Sequence, residues 1–550
     1  MSSLKFIAIS GTTDVTENLY IYEYGNDMII VDCGVGFPEA EMYGIDLVIP
    51  DFGYIRKNAH KLRGLIVTHA HEDHLGAIPF LLKEVRTPIY ATKLVAGFLE
   101  DKFAEHKIRD VKVNVFDPQR DTLTLGVFKV TPFRVSHSVP DGVGYAIDTP
   151  EGRVFHIPDY KFDWTPVDGK PFDIAKVAML ASKGTLMVAS DCLGATTPGY
   201  TESEMEIENQ IERIAKDATG RIFFTTISSN ISRMQQALNV AKGLGRKVSF
   251  IGRSVETKAE IARNVGYLNY PGDLVVAGRK AARLSKNKVM YIISGSYGQP
   301  GSALYRVAHA EHKFLSADPG DTVIFSADPA PPGSKANVDA VVDRLIEIGA
   351  NVHYYDMQED LHVSGHGSQE DILTLFALIK PKYFIPIGGT IRHMRAYKDL
   401  AVRMGAKQNS VFELKPGEIV EFKGSQARKT GKVDVRDVLV DGLGIGDVGN
   451  VVLRDRQKLA QEGAAIILIQ VDKKNQRLLN DPQVISRGFV FEKKEKGFLI
   501  GAGKLLGAEI RKKKRVDKRV ARNVTIDFLE KYFYKETGRR PMVLPVIVEA

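Results

Sequence analysis

The segment Thr68-His69-Ala70-His71-Glu72-Asp73-His74-Leu75-Gly76 decides how this sequence is read. Three histidines and an aspartate fall within six residues, directly after the apolar run Gly64-Leu65-Ile66-Val67, which has the character of a buried strand. Imidazole and carboxylate are ligands that zinc and manganese accept, and a loop at a strand end can aim several of them at one point. Only 13 histidines occur in 550 residues, so H-x-H-x-D-H marks a metal nest rather than a polar surface loop.

A chain of 550 residues is too long for one hydrophobic core, and three or so domains are expected. Hydrophobic content of 44% and charged content of 26% are those of a soluble globular protein. A net charge of +8 permits a polyanionic partner without requiring one. The two cysteines, Cys33 and Cys192, exclude a disulfide framework and a thiolate zinc site, and suit a reducing compartment. The N-terminus reads as a strand without the apolar core of a signal peptide, and no run approaches the ~18 apolar residues of a membrane span. A cytoplasmic protein with no membrane partner is expected.

Working outward, Leu19–Tyr24 and Met28–Gly34 read as strands joined by the turn Gly25-Asn26-Asp27, a hairpin signal. Asp32 at the end of the second run either caps a turn or orients ligand histidines. After the metal loop a helix is expected over Leu75–Val85. His137 and Asp159 lie at or just beyond the ends of later apolar strands and complete a plausible two-metal set with the loop. From about 185 to 350 strands alternate with amphipathic helices, the α/β pattern. Its Gly- and Ser-rich strand ends, including Ser229-Asn230, suit phosphate contacts or ordinary loops. His362-Val363-Ser364-Gly365-His366 precedes a helix, as either a capping loop or a cradle for an anionic oxygen. The run Arg511 to Arg519 reads as a solvated helix face or an RNA-contacting surface.

These motifs together resemble the ribonuclease J family. The resemblance is carried by His69 to His74, by Gly36-Phe37-Pro38-Glu39 with Ile45 to Asp51, and by Ser190-Asp191. His362 to Gly367, Val438 to Gly442 and Arg539 to Pro545 extend it over nearly the whole chain. It implies an α/β fold: a metallo-β-lactamase αββα sandwich (1–200 and 356–428), an inserted β-CASP α/β domain (201–355), a linker (429–448) and a C-terminal α+β domain (449–550). It also implies two divalent ions, Zn or Mn, one held by His69, His71 and His137 and the other by Asp73 and His74, with Asp159 bridging. Asp32 would support the ligands from behind, and Asp73, Asp191 and His366 would serve catalysis. Ser229, Asn230, His362, Val363, Ser364, Gly365 and His366 would bind substrate.

The activity so implied is 5′-to-3′ exonuclease action on single-stranded RNA bearing a 5′-monophosphate, with internal cutting and roles in RNA maturation and decay. Hydroxide would attack the phosphodiester. A homodimer or homotetramer, and contact with other RNA-decay proteins, belong to the same expectation. The sequence departs from the family in two places. Gly388 stands where a histidine is usual, with His393 nearby, so the second metal site is expected to be weak. A glycine-rich loop is replaced by Gly11-Thr12-Thr13-Asp14-Val15-Thr16-Glu17-Asn18. Gly388 motivates a rival reading, an RNA- or partner-binding paralogue with weakened catalysis. A small-molecule hydrolase of the same fold is the third alternative, opposed by the inserted domain and the basic tail.

Overall fold

The structure is a computed structural model that describes residues 2–39, 41–327, 334–354, 361–424, 426–442, 444–490 and 496–550. The expected domain boundary between 355 and 356 lies outside the described residues. The chain forms two compact units, Met1–Phe37 with Leu47–Val438, and Pro38–Asp46 with Leu439–Ala550.

In the first unit, two sheets face each other. One has eight strands, in the order Gln426–Lys432, Glu418–Lys423, Leu4–Ala8, Tyr20–Tyr24, Asp27–Val31, Leu62–Ile66, Ile89–Ala91 and Val113–Val115. The other has six, in the order Tyr383–Ile387, Met187–Asp191, Gly152–Ile157, Val143–Thr149, Phe128–Arg134 and Leu123–Leu125. Alternate residues of each strand point inward, so Phe6, Tyr20, Tyr22, Ile29 and Val31 meet Phe128, Val130, Tyr145, Val154, Met187 and Ile385 in one buried layer. The outer face of the second sheet is covered by helices Ile174–Ala181, Gln369–Ile379 and Ile391–Arg403, through Val177, Leu375, Phe376, Met394 and Tyr397. This agrees with the αββα layering that the family resemblance implies.

Within the same unit a third sheet is all parallel, in the order Lys247–Ile251, Val289–Ile293, Ile222–Thr225, Thr322–Phe325 and Asn351–His353. Its inner strands, Val289–Ile293, Ile222–Thr225 and Thr322–Phe325, are buried on both faces, as parallel strands flanked by helices require. The second unit centres on strand Ala464–Asp472, which pairs antiparallel with Gln483–Arg487 and parallel with Met542–Glu549. Helices Lys496–Arg511 and Lys518–Thr537 supply Leu506, Ile510, Leu529 and Phe533 to its core. No helix among the described residues is long and apolar enough to cross a membrane.

Three local expectations need correction. The helix predicted over Leu75–Val85 is two pieces, Glu72–Leu75 and Ile78–Glu84. The chain turns between them because the Ala77 N–H donates to the Cys33 carbonyl, so Asp73 and His74 sit on a helical turn. The expected linker begins too early, because residues 429–432 belong to strand Gln426–Lys432 at the edge of the first sheet. The charged run Arg511 to Arg519 is not a helix face, since helix Lys496–Arg511 ends where it begins and the next helix starts at Lys518.

Candidate metal centre

Parallel register brings the site together. Strands Gly152–Ile157, Met187–Asp191 and Tyr383–Ile387 run side by side, with Ile157 opposite Ser190 and Asp191 opposite Ile387. Their C-terminal ends therefore deliver Asp159, Asp191 and Gly388 to one edge. In the facing sheet Asp27–Val31 and Leu62–Ile66 are also parallel, with Val31 opposite Ile66, so Asp32 and the histidine loop open at a single edge as well.

Two groups of ligand atoms share Asp159. In the first, His69 Nε2 and His137 Nε2 each lie 3.1 Å from His71 Nδ1, and each lies 3.4 Å from Asp159 Oδ2. A tetrahedral ion with bonds of about 2.0–2.1 Å holds its ligands about 3.3–3.4 Å apart, so these four residues fit a divalent cation without rearrangement. Their imidazoles suit the task. Burial pushes His71 well below its usual range, and His137 and His69 add to the effect. Burial also takes His137 down to about 3, against the pull of Asp159. Neutral imidazole is the form that ligates.

In the second group, His74 Nε2 lies 3.4 Å from Asp73 Oδ2 and 3.5 Å from Asp159 Oδ1. Here the balance reverses. Burial opposes a charge on His74, but Asp159, Asp73 and Asp32 together lift it well above its usual range. This pocket is short of positive charge, which a metal ion would supply. Asp32, left by the sequence between a turn cap and a support for ligand histidines, touches both the loop backbone and a loop imidazole. It is fully buried, and its carboxylate accepts the Thr68 N–H at 2.8 Å, the Thr68 hydroxyl at 2.7 Å and the His74 Nδ1–H at 2.8 Å. Asp32 adopts φ +60° to do so, and the bond to Nδ1 leaves His74 Nε2 facing the cluster.

A third cluster adjoins these. Asp191 Oδ1 accepts the Leu193 N–H at 2.8 Å, and Oδ2 lies 2.7 Å from His366 Nδ1. His366 Nε2 then stands 3.9 Å from Asp159 Oδ2. The loop carrying His366 is tied to the metal ligands directly, since the Gly365 carbonyl accepts the His137 Nδ1–H at 2.7 Å. A Cβ on Gly365 would stand 2.6 Å from the His137 ring, so only glycine allows this approach. The Ser364 hydroxyl accepts the His366 N–H at 3.1 Å. Val363 is buried behind the loop, and His362 is half-buried.

Ser229 and Asn230 are buried at the start of helix Ile231–Gly243, where Asn230 Oδ1 accepts the Arg233 N–H at 2.9 Å as a helix cap. No hydrogen bond between described residues joins either one to the histidine cluster. The link runs through residues that the sequence reading missed. Lys161, fully buried, donates to the Ser364 carbonyl at 3.0 Å and the Glu202 carbonyl at 2.9 Å, and its Nζ lies 3.4 Å from Glu204 Oε1. The other Glu204 oxygen accepts from Arg233 at 2.7 Å. Nothing in the local sequence around Lys161 signals this, although its place beside Asp159 is suggestive in retrospect.

Asn18 was also missed, although it closes the loop noted for its lost glycines. Its Nδ2 lies 3.1 Å from His74 Nε2 and donates to the Asp73 carbonyl at 3.1 Å, while its Oδ1 accepts from Tyr20 at 2.7 Å. A carboxamide thus sits beside the second group. Gly388 adopts φ +66°, and a Cβ there would meet nothing nearer than Asp191 Oδ1 at 3.7 Å. His393 does not fill that space. Its Nδ1 accepts the Thr390 N–H at 3.2 Å as half of a capping box on helix Ile391–Arg403, and Arg392 Nε approaches its Nε2 at 3.3 Å.

Comparison with known proteins agrees along the chain. Residues 28–225 match the Beta-lactamase superfamily domain and 219–345 the Ribonuclease J, beta-CASP domain. Residues 346–412 match the Zn-dependent metallo-hydrolase RNA specificity domain, and 451–550 the Ribonuclease J C-terminal domain. The chain is 34% identical to "Ribonuclease J2" of Bacillus subtilis over 556 residues, covering 100% of this chain and 99% of that protein. It is 35% identical to "Ribonuclease J 1" of Streptococcus pyogenes over 545 residues, covering 98% and 97%. Among solved structures, a protein of unknown function from Enterococcus faecalis V583 shares the fold, with TM-score 0.53 and 14% identity over 76% of this chain and 100% of that one. With full-length relatives above 30% identity and four consecutive domain matches, the chain belongs to the ribonuclease J family, with a metallo-β-lactamase fold, a β-CASP domain and a C-terminal domain.

Proposed function

We propose that this protein is a metal-dependent ribonuclease that hydrolyses the phosphodiester bonds of single-stranded RNA, proceeding 5′ to 3′ from a 5′-monophosphate end and also cutting internally. The observation that carries the reading is the pair of ligand groups sharing Asp159, with the His366–Asp191 pair beside them. His69, His71, His137 and Asp159 would hold one divalent ion, and Asp73, His74 and Asp159 a second, zinc or manganese. When bound, such ions supply positive charge to the scissile phosphate and lower the pKa of the attacking water.

The chain's own groups do the rest. Water attacks phosphorus, the bond to the 3′ oxygen breaks, and that oxygen requires a proton. Asp191 holds His366 at Nδ1, which leaves Nε2 as an acceptor toward the cluster; Nε2 can take the proton released by the attacking water and, as the imidazolium that Asp191 stabilises, give it to the leaving oxygen. Ser364, Gly365 and the His362 side of the loop would receive the phosphate, with Val363 packing beneath them. Ser229 and Asn230, at a helix N-terminus, would contact the next nucleotide. Lys161 holds the His366 loop in register with Glu204 and Arg233.

The test is degradation of 5′-monophosphorylated and 5′-hydroxyl RNAs of one sequence, with Asp73→Ala and His366→Ala as controls. Faster loss of the 5′-monophosphate form, abolished in both variants, is expected. Equal rates for wild type and Asp73→Ala would sink the reading. A second reading, an RNA- or partner-binding paralogue with weak chemistry, is favoured by Gly388, by the commitment of His393 to a cap and by Asn18 beside His74. Metal analysis separates the two. One tightly held equivalent and slow turnover restored by added Mn²⁺ place the protein between them, whereas inactivity at saturating metal favours the second.

A further inference from the structure

The proposed chemistry does not use the charged run of the C-terminal unit. The run forms the connection between helices Lys496–Arg511 and Lys518–Thr537. It lies against the turn after strand Ala464–Asp472, because the Val516 N–H donates to the Gln476 carbonyl at 2.9 Å. This brings exposed Lys473 and Lys474 to the same surface as exposed Lys513, Lys514, Arg515 and Arg519.

None of these six cations has an acidic side chain within ion-pair distance among the described residues. The nearby acids are engaged elsewhere. Glu509 pairs with Lys512 at 2.7 Å, Asp481 with Arg511 at 2.7 Å and Glu549 with Lys518 at 3.0 Å. Asp472 accepts backbone N–H groups of its own turn at 2.8 and 3.0 Å, and Asp517 caps the following helix through the Val520 N–H at 2.7 Å. Stability does not explain the charges. Lys518 and Arg519 open a helix whose first turn carries no acid, where the backbone dipole disfavours cations. Only Val516 of the connection packs into the core.

We propose that this basic surface docks single-stranded RNA through its phosphates, holding long substrates outside the catalytic centre. The proposal rests on the RNA-hydrolysis reading, and its test is chosen so that the two can fail separately. Full-length protein and a Lys513→Gln/Lys514→Gln/Arg515→Gln variant are compared for binding of a 30-nucleotide RNA between 50 and 200 mM salt. Removing three phosphate contacts from a single strand lowers the log–log salt slope by about 2. Wild type should then lose about 20-fold more affinity across that range than the variant. A Lys513→Arg/Lys514→Arg variant should keep the wild-type slope, and cleavage of a tetranucleotide should be equal in all three. An unchanged slope in the Gln variant overturns the proposal, as does a slope change matched by loss of tetranucleotide cleavage. So does a surface that binds anionic lipid vesicles and not RNA. Wild type that binds the long RNA with the expected slope but cleaves neither substrate sinks the nuclease reading alone.

Discussion

Asp32→Asn tests whether the second group is a metal site built from behind. Asparagine has nearly the same shape and tolerates the left-handed conformation that Asp32 adopts at φ +60°, so backbone strain is not the perturbation. The carboxylate accepts three hydrogen bonds, two from Thr68 and one from His74 Nδ1, at 2.7 to 2.8 Å. With its oxygen at the Oδ1 position an amide still accepts the Thr68 N–H, but it turns an NH₂ toward the Thr68 hydroxyl and His74 Nδ1. The imidazole must then shift its proton to Nε2, the atom that faces Asp73 and Asp159. Loss of such a supporting group costs 10–100-fold in metal affinity, about 1.4–2.7 kcal/mol. Replacing one charged buried hydrogen bond with a poorer one removes a further ~1–3 kcal/mol of stability. The assay is competitive metal titration against a fluorescent chelator, with elemental analysis of the dialysed protein. The variant should lose one equivalent while the His69–His71–His137 equivalent stays. Two equivalents at wild-type affinity would refute the reasoning, because Asp32 would then be no more than a turn cap.

Other outcomes follow from the same contacts. His393→Ala should leave metal content unchanged and cost about 1 kcal/mol of stability through the lost cap, read by thermal melting; a lost metal equivalent would instead make His393 a ligand. Gly388→His should tighten the second equivalent in the chelator titration, less about 1–2 kcal/mol for a side chain at positive φ; unchanged affinity would show that the missing histidine is not the weak point. Lys161→Met should destabilise the protein by about 3–5 kcal/mol, because Glu204 keeps its charge in a buried setting; a melting temperature within a degree of wild type would contradict the network. For Glu204, burial opposes ionisation, yet Arg233 and Lys161 hold its carboxyl at about 2 against an ordinary 4.5. A carboxyl depressed on folding contributes its stability above about pH 4.5 and loses it as pH falls toward 2, here about 3 kcal/mol. Glu204→Gln should flatten acid denaturation in that window by the same amount, and an unaltered profile would count against the assignment.

What could be read in the sequence was local. His69 to His74 sit on one short stretch, so their spacing alone announces a shared ligand. The hairpin around Gly25 depends only on its own turn, and the α/β alternation depends only on periodicity. Their positions at strand ends placed His137 and Asp159 with the loop, whereas the αββα class and the roles of Asp191 and His366 came from the family likeness. The sequence could not rank Asp32, because a turn cap and a ligand support look identical until Thr68 and His74 are seen around it. Nor could it find Lys161 or Asn18, whose partners are distant in the chain, or show that His393 faces Thr390 rather than the cluster. By itself the sequence determined which residue types gather metal and where the strands that carry them lie. The tertiary structure decided which groups meet. Strand register sets which C-terminal ends share an edge, and register is fixed by the packing of whole sheets rather than by any one segment.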